Sequence, residues 1–111
     1  MEKINKKINK YAEIVRQLIQ SYYHSSQGSY FVADTNQHHY QLVWAGWDGQ
    51  NKYFYTVRLH IHIREDGKIC VLENNTDYDI DTDFADLNIP KSDILPNFLP
   101  ANVRPLAGYA A

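Results

Sequence analysis

The stretch from Tyr53 to Arg64 constrains the fold more than any other. Tyr53, Tyr55, Val57, Leu59, Ile61 and Ile63 occupy alternate positions, with Thr56, Arg58, His60, His62 and Arg64 between them. Phe54 is the one exception. Successive side chains of a strand point to opposite faces, so the pattern predicts a half-buried strand. Asp66-Gly67 follows directly, the strongest short hairpin signal a sequence can carry. Lys68 to Glu73 then reads as the returning strand. A chain built around this pair must form an antiparallel sheet.

The remaining elements assemble around that hairpin. His39 to Trp47 is apolar at several positions of both parities, as expected of a central strand. Asp48-Gly49 marks a turn after it, and Ser29 to Ala33 reads as a short strand before it. Upstream, Ile4, Ile8, Tyr11, Val15, Leu18 and Tyr22 recur at spacings of four and three, which places them on one helical face. Ser25-Ser26-Gln27-Gly28 supplies turn chemistry to stop that helix. Ile80, Phe84 and Leu87 share helical spacing, so a short helix spans about 80–88, with Asp79 or Asp81 as its cap and Pro90 blocking extension. Lys91 to Leu95 reads as one further turn, and Pro96, Pro100 and Pro105 make the tail irregular. The expected class is α+β. A long N-terminal helix packs on an antiparallel meander of about four strands, followed by short C-terminal helices and an irregular tail. One domain over residues 1–111 is expected from this length.

Composition narrows the function. Apolar residues make up 44% and aromatics 14%, enough for one small core. A formal net charge of −2 gives the whole chain no strong field for nucleic acid. Cys70 is the single cysteine, which excludes an internal disulfide and fits a reducing cytosol. No apolar run reaches the roughly 18 residues of a membrane span, and the N-terminus does not resemble a signal peptide. A cytoplasmic protein without membrane contact is expected.

Sites for chemistry are few. His60 and His62 form an H-x-H pair on one strand face, with His38 and His39 beginning the neighbouring strand; imidazoles so placed suit zinc or copper. No carboxylate-rich signature accompanies them, so a polar, partner-facing row of Arg58, His60, His62 and Arg64 is the preferred reading. Asp77, Asp79, Asp81 and Asp83 imitate a calcium loop, but Thr82 and Asn88 stand where an EF-hand needs Gly and Glu. No nucleophile elbow, phosphate loop or catalytic pair is present in the pattern. Neither an enzyme nor a cofactor is expected. Residues 1–20 carry five bases and two acids, so Lys3, Lys6, Lys7 and Lys10 are possible phosphate contacts. The heptad-like helix or an exposed edge strand offers a route to a homodimer.

Four ordered motifs carry a resemblance. His39-Tyr40-Gln41-Leu42 with Gly46-Trp47-Asp48-Gly49 resembles the H-Y-Q-L…G-W-D-G segment of the XisI family. Leu59-His60-Ile61-His62-Ile63 with Gly67-Lys68-Ile69 is similar to its I-H-I-x-I-x-x-G-K-I segment. Pro90-Lys91-Ser92-Asp93-Ile94 matches P-K-x-D-I. Phe98, Pro100, Arg104 and Tyr109-Ala110 fit the closing pattern. Pro96-Asn97 and Leu99 depart from it. The resemblance implies a non-catalytic controlling factor for excision of the fdxN element. A site-specific recombinase removes this element in heterocyst-forming cyanobacteria. The partners implied are the companion protein XisH, which resembles nuclease-fold proteins, and the recombinase. The alternative is an accessory factor that touches DNA directly through the lysine-rich helix.

Overall fold

In a computed structural model, which describes residues 2–23 and 28–110, the chain opens with helix α1 (Glu2–Tyr22). Strands β1 (Ser29–Asp34), β2 (His39–Trp47), β3 (Tyr53–Ile63) and β4 (Ile69–Asn74) follow, then helix α2 (Ile80–Asp86) and a short strand β5 (Ile94–Pro96). Single 3-10 turns at Lys91–Asp93 and Pro105–Ala107 flank β5. The sheet has five strands in sequence order. The first four form the expected antiparallel meander. The fifth corrects the count of about four. Ile94–Pro96, read from sequence as part of a turn, pairs in parallel with Ile69–Val71 of β4. Parallel pairing needs a crossover, and α2 supplies it. Most of the Ser25–Gly28 turn lies outside the described residues.

Helix α1 buries Tyr11, Ala12, Val15, Leu18, Ile19 and Tyr22 against the sheet. The core beneath it contains Tyr40, Leu42, Leu59, Ile61, Ile63, Ile69, Val71 and Ile94, with Ile80, Phe84 and Ile89 closing one end. Val15, Ile19, Leu42, Leu59, Ile61 and Phe84 are fully buried. A stripe at spacings of three and four faces a sheet face at spacing two, which is how an amphipathic helix and a half-buried sheet each satisfy their apolar side.

Hydrogen bonds join the layers at their rims. Asp79 caps α2, accepting from the Thr82 amide at 3.2 Å and its hydroxyl at 2.8 Å. The Tyr22 hydroxyl donates to Asp83, and the Tyr109 hydroxyl to Asp81. Three acids of the run that imitates a calcium loop, Asp79, Asp81 and Asp83, are therefore spent on capping and on tyrosine contacts. Asp93 accepts from the Tyr11 hydroxyl at 2.5 Å and pairs with Lys7 and Lys68, each at 3.1 Å. That one carboxylate ties α1 to the β3–β4 hairpin. Gly67, at φ +83°, turns the hairpin, and a Cβ there would meet the Lys7 side chain at 3.1 Å.

Two irregularities reshape the sheet. Between β2 and β3 the register runs Leu42 with Leu59 and then Val43 with Val57, which leaves Arg58 as an extra residue. Such a bulge restarts the alternation. Leu59, Ile61 and Ile63 face the helix, whereas Tyr53 and Tyr55 are 58% and 67% exposed. The sequence pattern had placed all of them on one buried face, and the bulge is why it does not hold. A second shift, between His60 and Ile61, lies against β4.

Candidate functional site

The sheet face away from α1 divides into three zones. Leu42 and Trp44 pack toward the helix, so Val43, Ala45 and Trp47 point away from it. Cross-strand pairing sets Tyr30 and Val57 beside Val43, Tyr55 beside Ala45, and Tyr53 beside Trp47. Tyr30, Val32, Trp47, Tyr53 and Tyr55 are all exposed there. The Trp47 and Tyr53 rings meet edge to face at 5.3 Å. Val43 is buried at 2% exposure although it lies outside the helix-side core, between its cross-strand partners Tyr30 and Val57. At the opposite end, Cys70, Leu72, Leu95 and Ala110 form a small second cluster. The Ala110 amide bonds the Ile94 carbonyl at 2.9 Å, so the tail covers that end.

Histidines occupy the middle. His39 Nδ1 lies 3.0 Å from His60 Nε2, and Gln41 Nε2 lies 3.3 Å from His60 Nδ1. His62 Nδ1 donates to the His38 carbonyl at 3.1 Å, and the His39 and His62 rings stack at 4.1 Å. His38 Nδ1 lies 3.1 Å from the Tyr40 hydroxyl. One set of neutral tautomers satisfies all these contacts. Gln41 donates to His60, His60 donates to His39, and Tyr40 donates to His38. Burial, with His62 nearby, pulls the His39 pKa below its usual value. Burial pulls His60 down too, followed by its His39 and His62 neighbours. Stacked rings cannot aim their lone pairs at one point. Accordingly, no group of three or more His, Cys, Asp or Glu among the described residues is arranged to hold a metal.

The other residues singled out from sequence are dispersed. The β3 row separates: His60 and His62 remain in the histidine zone, while Arg64 pairs with Asp66 at 2.6 Å in the hairpin. Arg58, displaced by the bulge, stacks on Trp44 with its guanidinium carbon 4.0 Å from the ring centroid. Lys7 is held by Asp93, whereas Lys3, Lys6 and Lys10 are exposed along α1. Cys70 is buried, and burial pushes its thiol up, away from nucleophilic use. An open groove of about 970 Å³ runs between α1 and the hairpin ends, lined by Asn5, Asn9, Asn36, Gln37 and His38 among others. The charged pair Arg64 and Asp66 at its margin is mutually satisfied.

The aromatic zone is the feature that sequence reasoning missed. Its one trace was Phe54, the apolar residue out of phase. Phe54 pairs with Gly46 on the helix side of the sheet, so it marks where the alternation reverses.

Comparison with known proteins gives a consistent set of relatives. A family model described as XisI protein matches residues 4–111. The fold is similar to the crystal structure of a XisI-like protein from Anabaena variabilis ATCC 29413, with a TM-score of 0.83 and 28% identity over 94% of this chain and 98% of that one. It is also similar to the fdxN element excision controlling factor XisI from the same organism, with a TM-score of 0.79 and 27% identity over 94% of this chain and 97% of that one. No curated protein matches the chain.

Proposed function

Because the chain belongs to the XisI family, we propose that it is a controlling factor for excision of the fdxN element that acts without catalysis, by binding a protein partner. The observation that carries this reading is the exposed aromatic zone of Tyr30, Val32, Trp47, Tyr53 and Tyr55, on the part of the sheet face that no described element covers. Tyrosine and tryptophan concentrate at protein interfaces, where each buries a large area with little loss of side-chain freedom. The histidines favour the same reading. Both nitrogens of His60 and the Nδ1 atoms of His38, His39 and His62 are engaged with one another, with Gln41, with Tyr40 or with the backbone, and the described residues hold no group of three or more metal-ligating side chains. The partners that fit are an XisH-like protein and the site-specific recombinase.

The test is a binding titration of the purified chain against each partner, alongside the Trp47→Ala variant. Trp47 is 67% exposed, so its removal leaves the core intact. A micromolar or tighter complex is expected with one partner. Trp47→Ala should weaken it by roughly 2 kcal/mol or more, about thirtyfold. Absence of a complex with both proteins at micromolar concentration removes the reading.

A further inference from the structure

The β2–β3 hairpin outruns the rest of the sheet. Strand β4 pairs only with Leu59–Ile63, so among the described residues the Tyr53–Val57 half of β3 has a neighbouring strand on its β2 side alone. The Asn75 amide bonds the Arg58 carbonyl at 2.7 Å, and this marks where the chain leaves that edge. The direction of the free backbone groups follows from β2. The Ala45 amide bonds the Gly28 carbonyl at 2.9 Å, away from β3, so Ala45 and its partner Tyr55 form a pair without mutual hydrogen bonds. Tyr53, Tyr55 and Val57 therefore turn their N–H and C=O groups outward, and no described segment meets them. Their side chains lie on the aromatic face, so an added strand would meet unpaired backbone and aromatic surface together.

The flanks of this edge are cationic. Lys52 is exposed, and no carboxylate lies within ion-pair distance of it or of Arg58 among the described residues. Arg58 Nε is buried without a hydrogen-bond acceptor while its guanidinium rests on Trp44. A charged group without a carboxylate partner is poorly satisfied, and an acidic strand added along the edge would bring a carboxylate toward this guanidinium. The outer edge of β1 is also unpaired by any described strand, but it ends at Asp34 and has no such cationic flank.

We propose that the Tyr53–Val57 edge of β3 receives an extended, acidic segment of the partner protein as an added antiparallel or parallel strand, with Arg58 and Lys52 taking its carboxylates. This rests on the partner-binding reading above and specifies its mode. A second copy of this chain is a poorer occupant. The two-fold register that pairs all three outward residues sets Tyr55 against itself and Lys52 against Arg58, a like-charge clash.

Three variants and one exchange measurement test the mode on the full chain with whichever companion binds in the titration above. Tyr55→Pro deletes an outward N–H and leaves the β2–β3 ladder untouched, a position where edge strands tolerate proline. Tyr55→Ala removes the ring alone. Tyr55→Pro should bind at least tenfold more weakly than Tyr55→Ala, and Lys52→Glu about tenfold more weakly than wild type. Circular dichroism of each variant checks the fold. In the wild-type complex the Tyr53, Tyr55 and Val57 amides should gain protection from hydrogen exchange, a readout independent of any substitution. A firm complex with those amides unprotected, or with Tyr55→Pro equal to Tyr55→Ala, overturns strand addition and leaves partner binding standing. Stronger binding by Lys52→Glu overturns the acidic assignment. Sedimentation of the free chain should show a monomer; a dimer dissolved by Tyr55→Pro would give the edge to a second copy. No complex at all removes this proposal together with the reading beneath it.

Discussion

Asp93 shows how much one side chain can hold. It is the acid of the P-K-x-D-I element, and its contacts with Tyr11, Lys7 and Lys68 join α1 to the sheet beside β5. Burial opposes its charge, yet hydrogen bonds from Tyr11, Lys68 and Lys7 hold its carboxyl below the usual range. Asp93→Asn keeps the shape and removes the charge, so it should cost about 2–3 kcal/mol, since hydrogen bonds to charged groups contribute about that much. A thermal melt at pH 7 should show the loss as a fall on the order of 10–20 °C for a domain of this size. Because the folded pKa is depressed, Asp93 stabilises the fold above the unfolded carboxyl pKa of about 3.9 and ceases to as pH falls through the lower folded value. The Asn variant should lose that part of the acid transition. The histidines act at higher pH with the same sign. His39 and His60 have depressed pKa values in the fold, chiefly through burial, so the unfolded chain takes up protons first. Stability should be intact above about pH 6.5 and decline below it. Urea titrations at pH 7.5 and 5.5 should show that decline, and His60→Gln should shrink it. An equal decline in the variant would mean that other groups cause it.

Helix α1 and strands β1 to β4 were legible because local signals mark them: a period in α1 and β3, an apolar run in β2, and turns between the strands. The helix stripe at spacings of three and four and the strand alternation at two are local signals, and Asp48-Gly49 and Asp66-Gly67 punctuate them. The cap of α2 was legible as Asp79 or Asp81, and Asp79 takes the position. Strand β5 was not. Three residues ending in Pro96 contain no period, and their pairing with β4 is decided by the crossover through α2 and by burial of Ile94 and Leu95. The site was harder still. His60 and His62 sharing a face followed from alternation, but the approach of His39 depends on the β2–β3 register. The exposure of Tyr53 and Tyr55 depends on one extra residue, Arg58, whose cost as a bulge is offset by stacking on Trp44. A bulge is a mismatch between two strand lengths, so it belongs to the pair and leaves little mark on either strand read alone.

The sheet is covered unequally, and this favours the proposed protein partner over DNA. Helix α1 fills one face, the tail covers the β4–β5 end of the other, and the molecule stretches to 49 × 30 × 23 Å with the aromatic hairpin left bare. No described helix is long and apolar enough to cross a membrane. The basic end of α1 looks like a rival surface, but its charge is partly used. Lys7 pairs with Asp93 and Arg16 with Glu13, leaving Lys3, Lys6 and Lys10 free of ion pairs among the described residues. Three phosphate contacts give a salt slope of about −2.7, so affinity would fall about fortyfold between 50 and 200 mM salt. A chain of net charge −2 adds no wider attraction to offset that loss. A gel shift with duplex DNA should therefore show no complex at 150 mM salt with protein at about 10 μM, the range of ordinary non-specific binding. Any low-salt complex should vanish when Lys3, Lys6 and Lys10 are all changed to Gln, while the partner titration is unchanged by the same triple variant. A complex that persists at 150 mM salt and needs those lysines would move the function from the aromatic face to the helix.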